Sequence, residues 1–278
     1  MLYLLTLTWN ACDKLTKLKE SILPALDGID YTWLIKDNGS KDDTVAVASS
    51  WGDKIKVIPY KDNRQNFSEG MNMLFTEAAP ADNDLVMLLN NDVVVNDTKS
   101  IKQMIEVIKK DDDVGAVGAR LLFTGTNRLQ HAGVVFNPKH RLPLHFRSNQ
   151  ITDHAAEKNR QFQVVTGAVL LTKGEYFRNS CTTNASGTKG MDEKLHWAFD
   201  DVDLCLSIGL NMNKKIVYCG STDIFHEESA SLKKNPTNKL FMTHNSNHLI
   251  GKWNNRCTLD EEAYTKDPFY NLYKGKDK

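Results

Sequence analysis

The sequence predicts an α/β domain whose central, mostly parallel sheet is flanked by helices. Apolar segments alternate with amphipathic ones over about the first 90 residues, giving four strands and three helices, a pattern typical of a parallel sheet. Leu85–Leu89 is apolar throughout, as expected of a strand buried on both faces. It ends abruptly on Asn90, Asn91 and Asp92. Ligands of open α/β sheets bind beyond the carboxyl ends of such strands, so a ligand is expected there.

In about the first 90 residues, helix-ending residues and turn sequences mark where the predicted helices and strands stop. Pro24 and Gly28 end the first helix. The turn sequence DNGS at 37–40 ends the second strand. The expected strands are 2–8, 31–36, 55–59 and 85–89, and the expected helices are 15–26, 42–51 and 67–79.

Beyond residue 92 the pattern is less regular. The polar, aperiodic segment 137–160 predicts a long functional loop, and the Ser/Thr/Asn/Gly-rich segment 179–189 predicts another. Further strands are expected at 114–123, 133–136, 163–172 and 215–219, and further helices at 98–110, 201–210 and 238–253.

Composition and cysteine usage narrow the class of protein. The 278 residues are 41% hydrophobic and 25% charged, which fits one large α/β domain or a domain with a subdomain. Five scattered cysteines without CxxC spacing indicate neither a disulfide framework nor a zinc site, so a reducing compartment is expected. No signal peptide or apolar run long enough to cross a bilayer is seen, which predicts a cytoplasmic protein.

Charge is distributed unevenly although the formal net charge is zero. Residues 1–127 carry 14 Lys+Arg against 19 Asp+Glu, and residues 128–278 carry 21 against 16. The basic excess is densest between Arg128 and Arg160, where an anionic acceptor could dock. An ordinary solvated loop surface explains these charges equally well.

The polar residues after Leu89 also suggest a metal site. Asn90 and Asp92 are spaced i, i+2, so in extended chain their side chains point the same way. Together with a bound diphosphate they could share one hard divalent cation. Taken alone, the motif is equally a polar exit from a strand into a turn.

Several motifs in a fixed order resemble family 2 of the nucleotide-sugar glycosyltransferases, which are inverting enzymes of the GT-A fold. The resemblance covers roughly residues 2–253 and implies one catalytic domain, 1–255, followed by a C-terminal tail, 256–278. Residues 1–127 would bind the nucleotide-sugar, and 128–255 would bind the acceptor and carry out catalysis. The motifs are Thr8-Trp9-Asn10, Asp37-Asn38-Gly39-Ser40, Asn90-Asn91-Asp92, TGAVLLTK at 166–173, FDDVD at 199–203 and HEES at 226–229.

The resemblance assigns donor-site roles in the first half. Asp37 would accept hydrogen bonds from the nucleotide base, although an Asx turn is the simpler explanation of the motif. Asp92 in the place of the DxD motif would bind a divalent cation, Mn²⁺ or Mg²⁺, and His226 would reach the same metal or the diphosphate. The remaining residues expected to bind the nucleotide-sugar are Thr8, Trp9, Asn10, Asn63, Asn66, Gly70, Asn72, Asn90 and Asn91.

The resemblance also implies the catalytic residues. Asp201 would be the general base, and Asp200 stands where the family usually has Glu. Without the resemblance, these acids would be read as caps of a helix N-terminus. The residues expected to contact the acceptor are Trp197, Phe199, Arg141 and Arg147.

Other enzyme classes lack their motifs in this chain. The segment TWNACDKL after the first strand is neither GxGxxG, nor a P-loop, nor the Gly-rich basic loop of a nucleotidyltransferase. The expected activity is transfer from a UDP-sugar to an acceptor hydroxyl, with a surface polysaccharide or lipopolysaccharide as acceptor. Hydroxylated DNA bases, as in phage genomes, are an alternative acceptor, and a catalytically inactive nucleotide-sugar-binding module is an alternative of another class. Oligomeric state is left open.

Overall fold

The computed structural model describes residues 1–61, 66–181, 183–196, 198–227 and 238–275, without side chains for 238–240. The strands are β1 (Leu2–Thr8), β2 (Tyr31–Asp37), β3 (Ile55–Pro59), β4 (Leu85–Leu89), β5 (Val93–Val95), β6 (Val114–Phe123), β7 (Leu129–His131), β8 (Val134–Phe136), β9 (Pro143–His145), β10 (Arg160–Phe162), β11 (Val169–Lys173) and β12 (Lys215–His226). The helices are α1 (Cys12–Ala25), α2 (Thr44–Ala48), α3 (Phe67–Ala78), α4 (Ser100–Lys110), α5 (Gly174–Ser180), α6 (Asp200–Leu206), α7 (Asn238–Trp253) and α8 (Glu261–Lys266). A π-helical turn, Ser207–Asn211, continues α6.

The central sheet has the strand order β10-β12-β6-β11-β4-β1-β2-β3. Strands β3, β2, β1 and β4 run parallel to one another, and β6 runs parallel to β12, whereas β11 runs antiparallel between β4 and β6 and β10 runs antiparallel to β12. The mostly parallel sheet flanked by helices confirms the predicted fold class. Thr8 pairs with Asp37 in the β1–β2 register, so these two strands end at the same edge.

The first half folds as its apolar pattern predicts. Every residue of β4 is buried, as expected of a strand covered on both faces. Helix α3 begins at a capping box formed by Asn66 and Glu69. Gly70 lets α3 approach β1 closely, because a Cβ at this position would lie 2.7 Å from the Leu7 methyl carbons.

The predicted bounds of several strands and loops in the second half were wrong. The expected strand 163–172 begins only at Val169, as β11, and residues 163–168 lie outside the named strands, where the Gly167 N–H contacts Asp201. The expected strand 215–219 continues to His226, since it gains β5 and the end of β6 as partners. The loop expected at 137–160 contains β9, which pairs with β8 in a two-stranded hairpin.

The segment expected as a tail from residue 256 packs against the second half as far as the described residues extend. Tyr264 on α8 is 2% exposed, and its ring stacks on Phe162 with 4.3 Å between centroids. The carboxylate of Asp260 accepts a hydrogen bond from the Phe136 N–H at 2.9 Å. Helix α8 therefore covers one side of the β8–β9 hairpin.

No helix within the described ranges is both long and apolar enough to span a bilayer.

Candidate active site

Three strands bring their predicted polar residues to one edge of the sheet. The Thr8 carbonyl accepts a hydrogen bond from the Asn38 N–H at 2.9 Å, which joins the ends of β1 and β2. The Asn91 side-chain amide donates to the Thr8 hydroxyl at 3.1 Å, which adds the end of β4. The Asn90 N–H is held by the Ala168 carbonyl at 2.9 Å. The motifs that follow β1, β2 and β4 therefore converge on one site.

Asp92 and His226 face each other at this edge. His226 Nε2 lies 3.1 Å from Asp92 Oδ1 and 3.2 Å from the Asn90 amide nitrogen. Gln130 fixes the imidazole, because its NH₂ group donates to the His226 carbonyl at 3.1 Å and its Oε1 must then accept from the His226 Nδ1–H. In the neutral imidazole, Nε2 thus carries a lone pair directed at the Asp92 carboxylate.

This pair suits a divalent cation. An imidazole nitrogen and a carboxylate oxygen that face each other are two donor types that proteins use for divalent metal ions. A second contact holding the histidine, as Gln130 does here, is usual for metal ligands. The described parts of the chain contain no group of three or more His, Cys, Asp or Glu side chains that could hold a metal. The remaining ligands would therefore come from a bound substrate or from water.

Lys14 is a cation at this site that the sequence did not reveal. Its Nζ lies 2.9 Å from Glu227 Oε2 and 3.9 Å from Asp92 Oδ2. The signal available in the sequence was its place in the first turn of the helix that follows β1, at the same sheet edge. Lys14 is positioned to meet an anionic group near Asp92.

Asp37 and Asn10 build the loops beside this edge. Asp37 is 1% exposed, and its carboxylate accepts hydrogen bonds from the N–H groups of Gly39 and Ser40 at 3.0 and 2.9 Å. Asn10 receives the Lys41 N–H at 2.7 Å. Asp37 therefore forms an Asx turn, and its contact with a base stays a prediction. Trp9, by contrast, is 50% exposed and free to cover a ligand.

The Asn/Gly segment on α3 contacts protein on every side that the structure describes. Asn72 is fully buried, donates to the Met191 carbonyl at 2.9 Å and accepts the Met191 N–H at 2.7 Å. The Asn66 amide donates to the Glu193 carbonyl at 2.9 Å. These contacts anchor the segment around residue 191 to α3. Of the other predicted site residues, Asn63 and Trp197 lie outside the described residues, as do Glu228 and Ser229 of the HEES motif.

Asp201 is held in place at the start of α6. Its Oδ2 accepts the Gly167 N–H at 2.8 Å, and its Oδ1 accepts the Val202 N–H at 2.8 Å. The chain enters α6 through a sharp turn, since Ala198 and Phe199 both have left-handed backbone, with φ of 66° and 67°. The N–H groups of Gly167 and of Val202 at the start of α6 thus fix the orientation of the Asp201 carboxylate.

Asp200 is the more perturbed of the two neighbouring acids. Burial and the negative charge of Asp201 raise the pKa of Asp200 from 3.8 to about 7. The Asp200 carboxyl therefore changes its protonation state near neutral pH.

Helix α7 is tied to α6 by a partly buried ionic network. Lys252 Nζ lies 2.8 Å from Asp203 Oδ1 and 3.1 Å from Asp192 Oδ2. The Trp253 indole N–H donates to Asp203 at 2.6 Å, and His248 contacts Asp192 at 3.0 Å. Burial raises the pKa of Asp203, and the Lys252 charge opposes that rise. Asp203 is therefore an anchor for α6.

The two arginines expected to bind acceptor lie in different surroundings. Arg141 donates to the Asn254 carbonyl at 2.8 Å, at the end of α7. Arg147 forms a bidentate pair with Asp153, with both N–O distances 2.8 Å. The structure does not bring the two guanidinium groups together.

Comparison with known proteins shows which protein family the chain belongs to. The family model described as glycosyl transferase family 2 matches residues 4–173. The chain belongs to this family and is a glycosyltransferase. No curated protein sequence matches it significantly.

Solved structures agree on the GT-A fold. S. aureus TarS residues 1–349 superposes with a TM-score of 0.56 at 11% identity, covering 94% of this chain and 76% of that 1–349 chain. The same protein in complex with UDP-GlcNAc gives 0.59 at 13% identity, with 96% and 70% coverage. The mannosyltransferase PcManGT from Pyrobaculum calidifontis, in complex with GDP-Man and Mn²⁺, gives 0.62 at 13% identity, with 95% and 69% coverage.

Proposed function

We propose that this glycosyltransferase is an inverting enzyme that moves a sugar from a UDP-sugar to an acceptor hydroxyl, with metal assistance. The Asp92–His226 pair carries the proposal, because an imidazole and a carboxylate meet at the sheet edge where the motifs after β1, β2 and β4 converge. The complexes of TarS with UDP-GlcNAc and of PcManGT with GDP-Man and Mn²⁺ support a donor of this class.

Asp92 and His226 would hold the divalent cation, with Lys14 beside them to meet the donor diphosphate. A bound divalent cation offsets the charge that develops on the departing nucleoside diphosphate. Trp9 is exposed next to the Thr8–Asp37 strand ends and would cover the nucleotide.

Asp201 would act as the general base. The acceptor oxygen forms its bond to the anomeric carbon as the bond to the diphosphate oxygen breaks, and the acceptor proton passes to the Asp201 carboxylate. The Gly167 N–H holds this carboxylate in a single orientation, which favours proton transfer in the attack geometry. Displacement in one step inverts the configuration of the anomeric carbon.

The test is UDP release from a panel of UDP-hexoses with Mn²⁺, for wild type, Asp201→Asn and Asp92→Asn. We expect release by wild type that both variants reduce, and a product of inverted configuration by NMR when a glycan acceptor is added. A parallel experiment replaces the glycan with the alternative acceptor, DNA with hydroxymethylated bases. Nucleotide binding without turnover of any donor would favour an inactive binding module instead.

A further inference from the structure

A short segment before β11, Thr166-Gly167-Ala168, carries the N–H group that orients the candidate base. The Gly167 N–H donates to Asp201 at 2.8 Å. One end of the segment is tied to the sheet, because the Ala168 carbonyl accepts the Asn90 N–H at 2.9 Å just after β4. The direction of the Gly167 N–H therefore depends also on what holds the other end of the segment, at Thr166.

The Thr166 N–H donates to a buried histidine at the end of β7. The acceptor is Nε2 of His131 at 3.3 Å, and the His131 side chain is 0% exposed. A ring nitrogen that accepts a hydrogen bond from a backbone N–H carries a lone pair, so the neutral His131 has its proton on Nδ1. Burial lowers the pKa of His131 well below its ordinary value, and the nearby His145 and His226 lower it further. The His131 ring is therefore neutral.

His145 supports the same tautomer from the other side of the His131 ring. The two Nδ1 atoms lie 3.0 Å apart, and the rings meet edge to face with 5.2 Å between their centroids. Because His131 Nδ1 carries the proton, His145 Nδ1 accepts it, and the neutral His145 has its own proton on Nε2. The opposite tautomer of His131 would set an Nε2–H against the Thr166 N–H. The β8–β9 hairpin, which carries His145, thus supplies the acceptor that this tautomer needs.

We infer that His131 is a positioning residue for the transfer reaction, because its Nε2 lone pair anchors Thr166 and the next residue, Gly167, orients Asp201. His131 does not itself touch the reacting atoms. His145 acts one contact further away, by holding the Nδ1–H tautomer of His131. The inference rests on the proposed function, in which Asp201 is the base, and it adds the residue that sets the orientation of that base.

Two amide variants of His131 separate this role from a purely structural one. His131→Gln can place an amide oxygen near the position of Nε2, whereas His131→Asn reaches only the position of Nδ1. We expect kcat of His131→Asn to fall about tenfold through misplacement of Asp201, with UDP affinity within a few fold of wild type. His131→Gln should recover most of the wild-type kcat. A general disturbance of the core would instead affect both variants alike.

His145 gives a second test that leaves the core intact, because this residue is exposed. His145→Leu removes the acceptor for the His131 Nδ1–H, so part of the His131 rings should adopt the other tautomer and kcat should fall about threefold. His145→Asn is the matched variant, since its amide oxygen can take the place of Nδ1 and should recover most of that loss. Long-range ¹H–¹⁵N NMR spectra show which ring nitrogen carries the proton in each protein.

Three results would overturn the inference: a wild-type His131 ring with its proton on Nε2 or on both nitrogens at about pH 7, equal kcat of His131→Asn and His131→Gln, or hydrogen exchange of the Thr166 and Gly167 amides that His131→Asn leaves unchanged. If the His131 variants do not fold, the His145 pair and the wild-type tautomers decide. Tautomers and amide exchange need no turnover. A wild type that transfers no sugar would therefore contradict the proposed function, whereas a working enzyme with the wrong tautomer contradicts only the role of His131.

Discussion

At the edge formed by β1, β2 and β4, the candidate donor-site side chains follow directly after strands, and the register of the sheet brings them together. In the second half, Asp201 opens a short helix whose position depends on contacts with Gly167 and, through Asp203, with Lys252. Positions in the first half are thus set by the sheet, and those in the second by long-range contacts. Substitutions around Asp201 should impair turnover while leaving donor binding intact.

The largest effect is expected for Asp201→Asn. The amide keeps the shape of the carboxylate but cannot accept the acceptor proton, so kcat should fall by about 10² to 10⁴. Steady-state kinetics with calorimetry of the UDP-sugar should show donor affinity within a few fold of wild type. If Asp200→Asn loses turnover and Asp201→Asn retains it, the base is Asp200.

Lys252→Met should lower the stability of the folded protein rather than act on the catalytic step. Removing the cation leaves Asp192 and Asp203 partly buried without their ion-pair partner. We expect a loss of about 1 to 3 kcal/mol in the free energy of unfolding, since Lys252 is itself partly exposed. Urea denaturation measures this, and Lys266→Met, which removes only a surface pair, is the control. Equal stability of the two variants would contradict an anchoring role for α7.

Gly167→Ala should disturb Asp201 without unfolding the protein. A Cβ at residue 167 would lie 3.0 Å from the Asp201 Cβ, so the carboxylate must shift by a few tenths of an ångström. We expect kcat to fall about tenfold through misplacement of the base. Gly209→Ala is the matched control, because its Cβ would meet atoms only at 3.7 Å. A kcat unaffected by Gly167→Ala would show that this contact does not position the base.

The smallest effect concerns Asp200 and pH. Its pKa is raised from 3.8 to about 7, so ionising it in the folded protein costs stability above pH 7 and costs nothing below pH 3.8. Asp200→Asn removes this cost. We expect it to be more stable than wild type by about 1 to 2 kcal/mol at pH 8, with the difference shrinking toward pH 4. Thermal melts over this range that show a constant difference would contradict the raised pKa.

The first half was the more predictable from sequence because its site residues obey local rules. Thr8, Asn90 and Asp92 follow apolar strands, and the structure gathers them at one edge. Local rules also favoured the plainer reading of Asp37, whose Asx turn is present. The contact of Asn72 with Met191, 119 residues away, left no local trace in the sequence, and the role of Asn72 in binding the nucleotide-sugar stays a prediction.

The second half was less predictable for the same physical reason. The run QVVTGAVLLT looks like one strand, but only its end belongs to β11, and the Gly167 N–H before it bonds to Asp201, 34 residues on. His131 and His145 were not singled out as a pair, since their contact depends on the hairpin. Lys14 went unnoticed because its partners, Asp92 and Glu227, come from distant segments.

Calorimetry of UDP binding, with and without Mn²⁺, on wild type, Asp92→Asn and Asp201→Asn separates the roles of the two halves. If Asp92 and its partner His226 hold the metal and Asp201 supplies the base, Mn²⁺ should strengthen UDP binding to wild type and Asp201→Asn alike. Asp92→Asn should lose most of that gain, so its affinity for UDP in the presence of Mn²⁺ should be about 10- to 100-fold weaker than that of wild type. Equal UDP affinity of wild type with and without Mn²⁺, or loss of the Mn²⁺ effect in Asp201→Asn but not in Asp92→Asn, would contradict this division.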